Sequence, residues 1–308
     1  IIGYLRTRYF NSMRIATSIC FIFLFVLAQG QSLQELEVEM AALQETVGIG
    51  STAEERLEAS ANLEKLLEEA FDIKETFEYP FMALPKVAKH TPEDEAFRIF
   101  NWNIPLEEGK HSFRMYVLFP NGKYQRFDDS QDLKHEDEKT SVKPDQWYGA
   151  LYYELRSVKV KRDTYYTLMG WDGNDELTTK KVLDVLVLEK KNKVSLGFPI
   201  FEKDGDLMNR RVFEYADDVI MNLRWLEPKE MIVFDRLEPK TQNLKGSYAF
   251  YGPSTAFSGY EWEGDFWKLI EFVDMSRPKG SESGAQFNFP DRPDLNRKRD
   301  KTNPLIGE

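Results

Sequence analysis

The chain has 308 residues, 42% of them hydrophobic and 14% aromatic, which is enough to bury a core and excludes wholesale disorder. Its 52 acids outnumber 41 Lys and Arg, and the net charge of −11 argues against nucleic acid as a partner, because phosphate binding needs a basic face.

Residues 15–28 form a 14-residue apolar run, preceded by Met13-Arg14, Arg6 and Arg8 and followed by the small-x-small site Ala28-Gln29-Gly30. A basic lead, a short apolar stretch and a small-residue cleavage site are the marks of a secretory signal. Fourteen residues fall short of the roughly 20 that span a bilayer. The expectation is an exported protein in the periplasm, on the outer surface or in the medium, with no transmembrane span in the mature chain. Met13 is the expected start, with residues 1–12 an upstream extension. Cys20, the sole cysteine, lies inside the apolar run, and Thr17-Ser18-Ile19 before it lack the pattern of a lipid-modified cysteine. Cleavage after Gly30 therefore leaves a chain without disulfides or thiol chemistry.

Residues 31–78 carry 13 acids and three bases. Leu33, Leu36, Met40, Leu43 and Val47 repeat at helical spacing, and Gly48-Ile49-Gly50 interrupts them. Ser51 with Glu54 reads as a capping box that starts a second helix, whose apolar face is Ala59, Leu63, Leu66, Ala70 and Ile73. The segment is predicted to be an acidic αα-hairpin. It either packs on the rest of the chain or pairs with another chain as a coiled coil, for which two heptads are marginal.

From Tyr79 the period changes to two. Ser112–Phe119 alternates, turns at Asn121-Gly122 and returns over Lys123–Phe127. Strand-length runs follow at 147–156 and 164–170, then at 219–226 and 231–236 around a four-residue loop. The runs at 260–263 and 266–272 flank Gly264-Asp265, while 182–189 alternates weakly and reads as strand or helix. About ten strands in sequential hairpins over 79–275 predict a mainly β fold, an antiparallel meander forming a barrel or a sandwich; a small β-propeller is the alternative. Residues 276–308, rich in Pro, Gly, Asn and charge, are predicted to be a disordered tail.

Several strings in the β region carry a resemblance: residues 97–105 (FRIFNWNIP), 147–153 (WYGALYY), 165–174 (YYTLMGWDGN), 231–235 (MIVFD) and 251–253 (YGP). Over residues 75–275 the chain resembles a family of uncharacterised secreted proteins from Gram-negative bacteria. The resemblance implies export and an N-terminal helical part, and it brings no activity and no catalytic residue.

Residues that bear chemistry are sparse. His90, His111 and His135 have no second ligand at metal spacing, and no nucleophile elbow accompanies them. Asp172, Asn174 and Glu176 place oxygens at positions 1, 3 and 5 of a calcium-type loop, but Leu177 and Leu183 stand where Gly and Glu belong, so a polar Asp-Gly turn is the plainer expectation. Lys203-Asp204-Gly205-Asp206 reads the same way. Glu261 and Glu263 share one strand face about 7 Å apart, a spacing that suits paired carboxylates in glycoside hydrolysis. Asp172 with Asp175 is a second such pair, whereas Asp217-Asp218 reads as a turn. All six Trp lie in the β region, where they fill the core, line a calyx or form a binding platform. Tyr260, Trp262, Trp267 and Trp171 are the candidate ligand-binding residues, with Trp171 expected to be exposed beside its turn.

The function expected from these features is non-enzymatic: an exported β domain that binds an envelope protein or a small apolar or sugar ligand. The rivals are a structural subunit docking through the helical hairpin and a carboxylate-dependent glycan hydrolase. No cofactor is expected, calcium at the 172 turn being the single candidate.

Overall fold

The computed structural model describes residues 31–275; the expected secretory signal in 1–30 and the expected tail in 276–308 lie outside the described residues. Ser32 caps α1 (Leu33–Ile49): its hydroxyl accepts the Glu35 N–H at 3.3 Å, and the Glu35 carboxylate accepts the Ser32 N–H at 2.8 Å. The second helix, α2 (Ala53–Phe71), starts one residue later than its sequence pattern suggests. Thr52 is the cap, receiving the Glu55 N–H, while Glu55 reaches back to the Ser51 N–H at 2.7 Å. Of the stripes that helical periodicity put on each helix, Leu33, Leu36, Met40, Val47, Ala59, Leu63 and Ala70 are buried, with Leu67 and Phe71 added, whereas Leu43, Leu66 and Ile73 are half-buried and Ile73 lies past the end of α2.

Fifteen strands follow among the described residues. The first sheet holds β1 (Ala88–His90), β2 (Arg98–Pro105), β3 (His111–Leu118) and β4 (Tyr124–Asp128) in sequential antiparallel order. The second sheet begins with β5 (Leu151–Val160), β6 (Asp163–Asp172), β7 (Thr178–Glu189) and β8 (Lys193–Leu196). The chain then leaves for a third sheet with β9 (Phe201–Lys203) and β10 (Asp206–Met208), and returns to the second as β11 (Arg211–Ala216). The third sheet is completed by β12 (Leu223–Leu226), β13 (Met231–Pro239), β14 (Tyr251–Trp262) and β15 (Trp267–Ile270), in the order β10-β9-β15-β14-β13-β12. The ambiguous run 182–189 is strand: β11 and β8 pair along one edge of β7 and β6 along the other.

The layers stack as helices, first sheet, second sheet, third sheet. Phe100, Trp102, Ile104, Tyr116 and Leu118 meet the helices, while Ile99, Phe113, Met115 and Val117 on the opposite face meet Leu151, Tyr152, Leu168 and Val182 of the second sheet. The other side of the second sheet, with Met169, Leu183, Val185 and Tyr215, packs on Ile232, Phe234, Tyr260 and Trp267 of the third. This is the sandwich alternative, built from three sheets, and no closed barrel forms among the described residues. Among the described residues the strands pair antiparallel except at Phe201 and Trp267, and an isolated parallel bridge outside the strands joins Asp129 to Trp147. Each buried side chain of this size stabilises by about 1.5–3 kcal/mol, and the indoles add specificity by donating across layers. Trp102 Nε1 donates to Ser60 Oγ at 3.0 Å, and Trp267 Nε1 donates to Thr167 Oγ1 at 2.9 Å.

Candidate functional site

Five of the predicted residues lie together on β14, β15 and the turn between them, and the alternation of a strand divides them. Tyr260 and Trp267 point inward and are fully buried, so they belong to the core between the second and third sheets and not to a ligand platform. The Tyr260 hydroxyl receives the Arg211 guanidinium and donates to the Glu202 carbonyl at 3.0 Å. Trp262 is half-buried, its ring 5.1 Å from that of Trp267. Glu261 and Glu263 point outward and are exposed. Lys268 pairs with Glu261 across the strands, and its ammonium lies 2.6 Å from the Glu263 carboxylate, whose hydrogen bond raises the lysine pKa. A hydrolytic pair needs one carboxyl held protonated by a desolvating pocket, whereas these two face solvent beside a shared cation.

Trp171 corrects the sequence expectation: it is 1% exposed. The His111 ring packs against it at 4.9 Å, and the missing side chain at Gly173 leaves room for that ring. The turn after it consumes its own oxygens. Asp172 Oδ1 accepts the Asn174 N–H at 2.8 Å, and Asp175 Oδ1 accepts the N–H groups of Leu177 and Thr178 at 2.8 and 2.9 Å. The buried Lys180 ammonium donates to Asn174 Oδ1 and the Leu133 carbonyl, both at 2.7 Å, and so supplies the positive charge that a calcium ion would bring. Glu176 is exposed, apart from buried Asp172, and no three His, Cys, Asp or Glu side chains group to hold a metal among the described residues. Burial pushes the Asp172 carboxyl up to about 6, with Asp129 and Asp132 adding to the rise and the Asn174 N–H and Lys180 opposing it.

The three histidines occupy separate places. His90 Nε2 lies 3.0 Å from the Tyr152 carbonyl, and burial pushes its pKa down. His111 Nδ1 lies 3.1 Å from the Asn103 amide nitrogen. His135 stacks on Tyr248, with centroids 4.5 Å apart, and lies 3.3 Å from the Glu214 carboxylate.

Two buried ionic clusters escaped the sequence reading. Asp184 and Arg210, both fully buried, are 3.4 Å apart. The Tyr148 hydroxyl also donates to Asp184, and Arg210 donates to the carbonyls of Asp137 and Thr140 at 2.5 and 2.8 Å. Glu138 accepts Arg211 Nε at 3.0 Å, the Val212 N–H at 2.9 Å and Lys203 Nζ at 2.5 Å. Burial raises the Glu138 carboxyl, but these partners outweigh it and leave the pKa below the ordinary carboxylate range. A lone acid inside the apolar run 182–188 was the available signal for Asp184. Both clusters fasten the 129–147 connection onto the second sheet, and their polar groups are turned on one another.

The surface that remains is the outer face of the third sheet. Leu226, Met231 and Val233 form a small apolar cluster there with Phe257, Ile270, Val273 and Met275 packed on it. Phe272 beside it is 70% exposed under the Arg236 guanidinium, 5.0 Å from its ring. Glu261, Glu263 and Lys268 edge one end of this face, and Arg236 with Glu271, 3.2 Å apart, edges the other. No helix among the described residues is long and apolar enough to cross a membrane. Comparison with family models, with curated proteins and with solved structures finds no match for the chain.

Proposed function

We propose that the chain is an exported, non-enzymatic binding protein of the cell envelope, which engages a partner protein through the outer face of the third sheet. The observation that carries this reading is the exposed Phe272 ring, which stands beside a half-buried apolar cluster and is rimmed by charges, since exposed apolar groups with polar rims mark contact surfaces. The core positions of Tyr260, Trp267 and Trp171 favour a protein partner over a small ligand in an aromatic calyx. Docking through the leucine stripe of the hairpin is disfavoured, because that stripe is spent on the first sheet. Export rests on the signal-like residues 1–30 and on the resemblance to secreted proteins.

A photo-cross-linking phenylalanine analogue at position 272, in the exporting host, tests the reading. One discrete adduct is expected from position 272 and none from position 58, on the exposed side of α2. Equal labelling from both positions, or none from 272, overturns it.

A further inference from the structure

The second sheet ends in β5, a ten-residue edge strand that pairs with β6 alone among the described residues. Its first part is sealed by side chains of the first sheet. Asn101 accepts the Tyr152 N–H at 2.6 Å and donates to the Ala150 carbonyl at 3.1 Å, and His90 covers the Tyr152 carbonyl. Beyond the register shift between Tyr152 and Glu154 no such seal exists among the described residues. Val160 and Asp163 close a two-residue turn and so exchange both of their hydrogen bonds. Counting back by two, Val158 with Tyr165 and Arg156 with Thr167 do the same. Leu155, Ser157 and Lys159 therefore turn their N–H and C=O groups toward the open edge, at a repeat of about 7 Å.

Two further observations lie at this edge. Arg156 sits 4.8 Å over the Trp225 ring, where β12 of the third sheet approaches β5. Arg156 Nε and Trp225 Nε1 are both buried with no hydrogen-bond partner among the described residues, a cost that an incoming acceptor relieves. Arg156 is already paired with Glu154 and Glu227, at 3.0 and 3.1 Å, whereas Lys159, Lys161 and Arg162 at the turn end of the strand form no ion pair among the described residues, with Asp163 the acid beside them. Such cations oppose pairing with a second copy of the same edge and favour an acidic strand.

We propose that β5 takes an acidic, extended segment of another protein as an added strand along Leu155–Lys159. Backbone groups supply the pairing, and the basic edge selects the partner. This surface is independent of the Phe272 face, so the two proposals fail separately.

The test uses the chain purified from an exporting host and a fluorescein-labelled heptapeptide of alternating Val and Glu. Saturable binding by anisotropy is expected, weakened at least tenfold by Ser157→Pro and severalfold by Lys159→Glu. Ser157→Pro removes one outward N–H and leaves the ladder to β6 intact, as proline does on sheet edges. Should that variant fail to fold, the same peptide N-methylated at alternate residues replaces it, and a tenfold loss against the unchanged protein is expected. Absence of saturable binding, or equal binding by Ser157→Pro or by the N-methylated peptide, overturns the proposal. The amides of Leu155, Ser157 and Lys159 are expected to exchange fast alone and slowly with peptide. Slow exchange in the protein alone means that the edge is already covered by this chain or a second copy, and also overturns it.

Discussion

The interface between the helices and the first sheet and the junction of the 129–147 connection with the second sheet solve the same problem with different proportions of apolar and ionic contact, although the former also buries one ion-paired acid, Glu64, against Arg114 and Arg126. The first is mostly hydrocarbon: Leu36, Met40, Leu63 and Leu67 press on Phe100, Trp102 and Tyr116, and most of the acids stay outside. The second fastens an irregular segment with buried charges, Asp184 to Arg210 and Glu138 to Arg211 and Lys203. A loop has no repeating apolar face to bury, so its backbone carbonyls are met by guanidinium groups instead. The two regions therefore differ in how they should fail.

The largest expected effect is at the charged junction. Arg210→Met strands Asp184 in the interior and should cost about 3–5 kcal/mol, read as a fall in the urea midpoint. The double variant Asp184→Leu with Arg210→Met should recover most of that loss, because a buried pair is worth little against apolar residues of similar volume. No recovery would mean that the carbonyls of Asp137 and Thr140 are what Arg210 serves.

At the apolar interface, Leu63→Ala should cost about 3 kcal/mol with no pH dependence, measured by the same midpoint. Asp172 gives a smaller effect with a definite sign. Its folded-state pKa is raised, so the stability it contributes is fully present below about 4 and is lost as pH rises through about 6. Asp172→Asn keeps an acceptor for the Asn174 N–H and should stabilise by about 1–3 kcal/mol above pH 6, with the gain vanishing near pH 4. A constant difference across pH 4–8 would refute the assignment. The smallest effect is Ser32→Ala, about 1 kcal/mol by thermal unfolding, from the loss of the α1 cap.

The same contrast explains what could be read from the chain beforehand. The hairpin was legible because a 3.6-residue period survives any tertiary context; only its ends moved, the cap of α2 from Ser51 to Thr52, the end of α1 to Ile49, and Ile73 to beyond α2. Hairpins at Asn121-Gly122 and Asp204-Gly205 were legible from turn chemistry. The weak alternation of β7 has a physical cause: Val182 and Leu186 face the first sheet while Leu183 and Val185 face the third, so both faces are apolar. Alternation also split Tyr260 from Glu261, but it carries no information on which face meets another layer. Trp171 was misplaced for a similar reason, since its cover comes from His111, sixty residues earlier in the chain. The candidate surfaces, Phe272 and the open part of β5, depend on which strands end up at an edge or in the outermost layer, a property of the assembled sheets.

The excursion of β9 and β10 into the third sheet has a consequence for the order of assembly. Phe201 meets Trp267 only after a further 66 residues have been made, and β11 returns to the second sheet in between. Neither sheet is complete until the other is nearly so, which makes the β region a slow-folding unit of high contact order. A chain of this kind exposes sheet edges for much of its synthesis, and delivery across a membrane in an unfolded state would postpone that exposure until every strand is present.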